Sequence, residues 1–138
     1  MTPEQLALVR DSYSELDAKM DEMAPEFYRQ LFALDPSLRA MFMVDWPEQE
    51  AKFTKQMTEI VNALGDLERL MEQTMALGLR HVAYGVKPSH YATVRTALLN
   101  TFGVLLGDRF DAATHEAWVL AYNLISECML SGATEHPR

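Results

Sequence analysis

The chain carries four histidines, and imidazole is the side chain best suited to metal ligation and proton exchange near neutral pH. His81 differs from the other three, because it lies four residues after Leu77 and continues an apolar stripe of helical spacing. His90 follows a turn proline, His115 lies in a polar first turn, and His136 belongs to the terminal tail. His81 is therefore the first candidate for chemistry.

Two interpretations of His81 are open from its position alone. A histidine on an apolar stripe is more often a core residue bonded to a backbone carbonyl than a metal ligand. No second histidine, cysteine or carboxylate lies one turn away from it, so the sequence offers no zinc site there. A metal held by His81 must bring its other ligands with it, as haem does with four pyrrole nitrogens.

The elements around His81 are helical. Apolar residues recur at spacings of three and four along the whole chain, with almost no strand pattern, which predicts an all-α fold of six or seven helices. The helix that carries His81 begins after the capping residue Asp66 and ends by Gly85. The helix before it starts at Pro47 and is closed by Gly65.

The remaining helices have equally local signals. Thr2 opens the first one with a capping box, and a second helix covers about residues 21–34. Pro25 lies inside that range, so the second helix is expected to begin later or to bend there. A short helix follows and ends near Phe42. Two long helices finish the chain, and Gly132 is expected to end the last one before the tail.

Composition limits the classes of function. A chain of 138 residues fits one domain, 1–138, and a formal net charge of −8 repels nucleic acid and anionic membrane surfaces. No signal peptide and no run of about 20 apolar residues is present, so a cytoplasmic protein is expected. The single cysteine, Cys128, has the apolar neighbours Ile125 and Met129 and is expected to be a buried, unreactive thiol.

Two segments carry a family resemblance. EFYRQLFALDPSLRAMF, residues 26–42, and LGLRHVAYGVKPSHY, residues 77–91, resemble the globin family, most closely single-domain bacterial haemoglobins and the haem domain of flavohaemoglobins. The likeness covers nearly the whole chain. It implies a globin fold that encloses haem b, with His81 as the proximal ligand of a penta-coordinate iron.

The resemblance also implies a set of residues on the distal face. Phe42 would pack flat on the haem, and Tyr28 and Gln49 would reach the bound gas as hydrogen-bond donors. Phe53, four residues after Gln49, would sit over the haem and is bulkier than the aliphatic residue typical of the family. A slip of one residue would give the distal role to Glu48, and without the resemblance Gln49 would be interpreted as a solvated side chain.

Further residues are implied at the haem rim and on the proximal side. Lys52 and Arg80 would pair with the propionates, although a plain solvated charge is an equally good interpretation of each. Tyr84 and Val86 are expected near the haem edge. On the proximal side the family pattern matches two residues, Tyr91 and Glu135, which would form a network with the imidazole that makes it a stronger electron donor.

These assignments imply a protein that binds oxygen, nitric oxide and carbon monoxide. Oxidation of nitric oxide to nitrate is a second activity implied by the likeness to flavohaemoglobins. Because the sequence stops at Arg138 without a flavin domain, it is expected to need a separate reductase. Whether the protein is an enzyme stays open, and the alternative function is an all-α interaction or sensor module in which His81 is structural.

Overall fold

The computed structural model describes residues 1–135, and the side chains of residues 1–132. These residues form six α-helices and three short 3-10 helices, with no strand in this part of the chain. The α-helices are α1 (Pro3–Glu15), α2 (Met20–Leu34), α3 (Trp46–Ala63), α4 (Leu67–Ala83), α5 (His90–Leu106) and α6 (Ala112–Glu135). The 3-10 helices span Asp17–Lys19, Pro36–Met41 and Gly107–Arg109. The predicted all-α fold is confirmed.

The predicted local signals set most of the helix ends. The capping box forms at the start of α1, where the Thr2 hydroxyl accepts from the backbone of Gln5 and the Gln5 side chain accepts from the backbone of Thr2. Side chains of three aspartates cap the starts of later helices by accepting from backbone N–H groups: Asp45, Asp66 and Asp111. Gly65 and Gly85, which follow α3 and α4, have φ of +97° and +88°, a region that glycine enters without steric cost.

Two expectations about helix ends are corrected by the structure. Helix α2 begins at Met20 and continues through Pro25, which excludes a later start, the first of the two alternatives expected for this proline. Proline removes one backbone donor there, and the packing of the helix offsets that loss. Gly132 does not end α6, which continues to Glu135. Gly132 instead lies against the backbone of Met75 on α4.

The helices pack in pairs around one core. The most extensive contacts join α4 to α6, α2 to α5 and α1 to α6. Trp118 on α6 and Phe102 on α5 are fully buried, with ring centroids 4.4 Å apart. The Trp118 indole Nε1 donates to the hydroxyl of Ser12 on α1 at 2.8 Å, so the buried polar group of this large side chain is satisfied.

Two glycines let α4 and α6 approach each other closely. A Cβ added at Gly78 would lie 2.6 Å from the carbonyl carbon of Met129, and one added at Gly132 would lie 2.6 Å from the Cα of Met75. Both clashes are with backbone, which cannot rotate out of the way. The position of α4, and of the His81 side chain that it carries, therefore depends on the absence of side chains at these two positions.

Two further expectations concern membrane-spanning helices and the burial of Cys128. No helix within residues 1–135 is long and apolar enough to cross a membrane. Cys128 is buried on α6, as predicted from its neighbours.

We expect Gly78→Ala to lower the free energy of unfolding by about 1–3 kcal/mol, because overpacking a close contact forces backbone to shift. Urea denaturation followed by circular dichroism measures this change.

Gly103→Ala on α5 is the matched control. A Cβ there would lie 3.9 Å from the Phe110 ring, which is ordinary contact. Alanine inside a helix is more favourable than glycine by about 0.5–1 kcal/mol, so this variant is expected to be as stable as the parent or slightly more stable. Equal effects of the two substitutions would show that α4 and α6 do not need their close approach.

Candidate functional site

A group of aromatic side chains gathers around Tyr28 on α2. Tyr28 is 7% exposed, and its ring contacts five others in edge-to-face or stacked arrangements. We call these six residues the aromatic cluster: Phe27, Tyr28, Phe32, Phe42, Trp46 and Phe53. The ring centroids of Trp46 and Phe42 lie 5.2 Å and 5.4 Å from that of Tyr28. The phenol is thus enclosed by apolar walls from α2, α3 and the connection between them.

One polar contact is made inside this apolar surrounding. The amide Nε2 of Gln49 on α3 donates to the phenol oxygen of Tyr28 at 2.8 Å. Because the phenol oxygen is the acceptor in this bond, its own hydrogen remains free, and no other described residue hydrogen-bonds to it. Burial raises the pKa of Tyr28, the bond from Gln49 lowers it, and the nearby charge of Glu50 raises it, so the hydroxyl keeps its proton at neutral pH.

The structure distinguishes Gln49 from its neighbour Glu48. Gln49 is half-buried and bonded to Tyr28, so it is not simply solvated. Glu48 is exposed, and its carboxylate lies 3.8 Å from the Nζ of Lys52 on the outer face of α3. The two side chains point in different directions because adjacent helical residues are about 100° apart. Gln49 and Tyr28 are the pair that this fold brings together.

Phe53 lies one turn beyond Gln49 and is packed against α2. Its ring stacks on that of Phe27, with centroids 4.5 Å apart and an interplanar angle of 18°, and meets the Tyr28 ring edge-on at 5.6 Å. The aromatic side chain is therefore held from α2 on two sides. This contact gives the large residue at position 53 a place in the cluster.

His81 lies on α4 with its ring orientation fixed. Its Nδ1 is 2.8 Å from the carbonyl oxygen of Leu77, one turn earlier on the same helix. A carbonyl can only accept, so Nδ1 carries the proton, and the lone pair of the neutral ring is on Nε2. Burial lowers the pKa of His81 below its usual range, although the hydrogen bond to the Leu77 carbonyl raises it, and the charge of Arg80 lowers it further. At neutral pH the ring is therefore an uncharged donor of an electron pair.

Of the residues predicted at the haem rim, three lie close to His81 in the chain and one, Lys52, lies on α3. Tyr84 is 66% exposed, with its ring centroid 6.3 Å from that of His81. The backbone N–H of Val86 donates to the His81 carbonyl at 3.0 Å, which folds the turn after α4 back onto that helix. Arg80 and Lys52 are both exposed, and Lys52 pairs with Glu48.

Tyr91 is half-buried in the first turn of α5. Its backbone carbonyl accepts from the hydroxyl of Tyr122 on α6 at 2.8 Å, and burial raises the pKa of its phenol. The side chain of Glu135, the predicted partner of Tyr91, lies outside the part of the chain whose side chains are described. His136 lies outside the described residues altogether. Tyr122 is thus the residue seen to hold the start of α5 against α6.

Several features of these residues fit haem. His81 offers one neutral nitrogen ligand, and no group of three or more His, Cys, Asp or Glu that could hold a metal ion occurs among the described residues. A metal bound here must bring further ligands. Val82 and Tyr84 next to His81, and Met43 and Val44 before α3, are large apolar side chains left exposed. Such surface is expected where an apolar group is covered by a partner.

Sequence reasoning missed two contributors to the site. Trp46 lines the aromatic cluster, and Tyr122 anchors Tyr91. The helical spacing could have indicated the first, because Trp46 lies three residues before Gln49. No local signal links Tyr122 to Tyr91.

A family model, known sequences and solved structures all match this chain to proteins of one family. The family model described as Globin matches residues 25–129. Neuroglobin of Danio rerio is 28% identical over 91% of this chain and 87% of its own length, and neuroglobin of Tetraodon nigroviridis is 30% identical over the same shares. A flavohemoprotein of Deinococcus radiodurans is 28% identical over 94% of this chain, which spans 33% of that protein.

The solved structures include a bacterial globin from Campylobacter jejuni. It superimposes with a TM-score of 0.84 at 26% identity, and the match covers 97% of both chains. The family match extends from α2 to α6, and so it includes Tyr28, Gln49 and His81. The chain therefore belongs to the globin family, whose members bind haem and, through it, diatomic gases.

Proposed function

We propose that this globin binds oxygen reversibly at the penta-coordinate iron of haem b, with His81 as proximal ligand and Tyr28 and Gln49 on the distal face. Nitric oxide and carbon monoxide are ligands of the same site. The observation that carries the proposal is the bond from Gln49 to Tyr28, because it leaves the phenol hydrogen free to donate inside an apolar enclosure.

On the proximal side, the support comes from the orientation of His81. The bond to the Leu77 carbonyl fixes both the tautomer and the plane of the ring, and so presents Nε2 as the ligand atom. The lowered pKa keeps protons from competing for that nitrogen at neutral pH. Tyr91, with Glu135, is proposed to complete a network that strengthens the imidazole as an electron donor.

When bound, haem supplies an iron with one coordination position open to a diatomic gas. The residues of the chain decide how strongly each gas is held. Tyr28 and Gln49 provide N–H and O–H donors in a site with few competing waters, where a hydrogen bond to a partly charged oxygen atom is strong. Phe42 and Phe53 exclude water from the same space. Lys52 and Arg80 are proposed to bind the propionates at the surface, with Tyr84 and Val86 at the haem edge.

Oxidation of nitric oxide is a second proposed activity of the same site. Nitric oxide and oxygen combine to nitrate with the uptake of one electron, so every turnover consumes an electron that a donor must replace. We propose that a separate reductase supplies it. Reversible binding needs no such donor and is therefore the primary function proposed.

We expect His81→Ala to lose tight haem binding, because His81 is the residue of α4 that offers a nitrogen ligand within the apolar stripe. A titration with haemin, followed by the Soret band, measures the affinity. The matched control is His115→Ala, which removes an exposed imidazole on α6 and should bind haem like the parent. A ferrous spectrum of the His81 variant identical to that of the parent would rule out the proximal assignment.

We expect Tyr28→Phe to accelerate oxygen dissociation by roughly ten to a hundredfold, because it removes a hydrogen bond of about 1.5–3 kcal/mol to a partly charged acceptor. Carbon monoxide gains little charge on binding, so its dissociation rate should change far less. Stopped-flow measurement of both rates in Tyr28→Phe, Gln49→Leu and the double variant tests this and measures the coupling of the two donors.

Tyr13→Phe is the control for loss of a buried phenol. Tyr13 is also 7% exposed and its hydroxyl bonds to Thr58 at 2.8 Å, but it lies in the core between α1 and α3. Oxygen dissociation should be unchanged in this variant. Equal acceleration for oxygen and carbon monoxide in Tyr28→Phe would mean a general loosening of the pocket and would contradict the hydrogen-bond role.

Nitric oxide consumption by the oxygen-loaded protein is expected to be stoichiometric when the protein is alone. Catalytic consumption should begin only when a flavin reductase and reduced nicotinamide are added, because nitrate formation takes up one electron per turnover. A nitric oxide electrode together with a nitrate assay measures both regimes. Many turnovers without any electron donor would refute the requirement for a reductase.

A further inference from the structure

Trp46 belongs to the aromatic cluster, but the proposed function gives it no role. Its side chain is half-buried, and its ring contacts three others. It stacks on Phe42, with centroids 5.8 Å apart and an interplanar angle of 26°, and meets Tyr28 and Phe32 edge-on at 5.2 Å and 5.9 Å. Tyr28 and Phe32 belong to α2, and Phe42 directly follows the 3-10 helix after it. The indole therefore joins the start of α3 to both preceding elements.

The residues on both sides of Trp46 in the chain are exposed. Residues 43–45 precede it, with Met43 at 92% exposure, and residues 47 and 48 follow it. In the part of the chain that the structure describes, no backbone hydrogen bond joins residues 43–48 to another element. The first turn of α3 is therefore held on α2 by the side chains of Trp46 and Gln49.

These two side chains meet the same tyrosine. Trp46 and Gln49 are three residues apart on α3 and so lie on neighbouring positions of its surface. The indole contacts the ring of Tyr28, and the Gln49 amide donates to its phenol oxygen at 2.8 Å. Without the ring contact, this turn would be held on Tyr28 by one hydrogen bond alone. Gln49 is only half-buried, so water can compete for that bond.

Ring contacts alone fix the indole. The Nε1 of Trp46 has no hydrogen-bond partner among the described residues, whereas the Nε1 of Trp118, the second tryptophan, donates to Ser12 at 2.8 Å. Trp46 thus contributes a large, rigid ring with two side-chain torsions. Glutamine has a more flexible side chain and loses more conformational entropy when it is held in one geometry. A rigid neighbour on the same turn reduces the freedom that Gln49 has to leave the phenol.

We infer that Trp46 is the positioning residue of the pair formed by Tyr28 and Gln49. Its indole holds the first turn of α3 against Tyr28, keeps the Gln49 amide on the phenol oxygen and keeps water from their hydrogen bond. The consequence for gas binding rests on the proposed function. In that function, Trp46 acts through Gln49 and does not touch the bound gas.

Hydrogen exchange of the Gln49 side-chain amide, followed by NMR in the protein as purified, tests this role without any gas. Trp46→Ala should accelerate the exchange roughly two- to tenfold, the factor that corresponds to one neutral hydrogen bond. Trp46→Phe keeps a flat ring on α3, and its exchange rate should lie between those of the parent and the alanine variant. Equal rates in all three proteins would overturn the inference.

Trp118→Phe is the matched control for loss of a tryptophan. Trp118 is fully buried, and its ring contacts are with Tyr13 and Phe102, outside the aromatic cluster. This variant should lower the free energy of unfolding and leave the exchange of the Gln49 amide unchanged. Acceleration equal to that in Trp46→Ala would show a general loosening of the fold and would contradict the positioning role.

Oxygen dissociation from the haem-loaded protein gives a second readout. Trp46→Ala should accelerate it roughly two- to tenfold, and the effect should be small when Gln49→Leu is already present, because the amide that Trp46 positions is gone. The infrared C–O stretching frequency of the carbon monoxide complex should shift in the same direction in Trp46→Ala as in Gln49→Leu. A full further acceleration in the double variant would mean that Trp46 acts without Gln49, which overturns the inference.

The two proposals fail in different ways. A protein that forms no Soret band with haemin, yet shows faster Gln49 exchange in Trp46→Ala, would refute the proposed function and support the role of Trp46. Faster oxygen dissociation in Tyr28→Phe, together with unchanged Gln49 exchange in Trp46→Ala, would support the proposed function and overturn the role of Trp46.

Discussion

The contact between α4 and α6 determines where α4 places His81 in this globin. Because Gly78 and Gly132 carry no side chains, the backbones of the two helices meet directly. His81 lies three residues after Gly78 on α4, so its place in the fold depends on this contact. The bond to the Leu77 carbonyl then fixes its ring. The proximal role proposed for His81 needs this degree of constraint, since a small shift of a helix moves a side chain by a comparable distance.

The pair formed by Tyr28 and Gln49 depends on a different constraint, which is the exclusion of water by rings. Both are polar groups in an aromatic surrounding, and the Gln49 amide donates to the phenol oxygen while the phenol hydrogen stays unused. A buried donor that is only partly used is costly in a folded protein unless another acceptor arrives. In the proposed function, the free phenol hydrogen gives the site a preference for a ligand that accepts hydrogen bonds, and the apolar walls strengthen this interaction by excluding water.

Two pairs of helices in this domain pack in different ways. Helices α4 and α6 meet through backbone at Gly78 and Gly132, whereas α2 and α3 meet through the stacked side chains of Phe27 and Phe53. Tyr122 adds a contact of α6 by binding the first turn of α5, where Tyr91 lies.

Signals within one or two helical turns were enough to predict the helices and their caps and to single out His81 as the first candidate for chemistry. The capping box at Thr2 and the side-chain cap of Asp66 formed as the local pattern predicts. Two features follow from contacts between distant helices instead: Gly132 continues α6 and packs on α4, and Gln49 bonds to Tyr28, 21 residues away in the chain. Local spacing carries no information on which faces of distant helices meet, since that follows from the packing of the whole core.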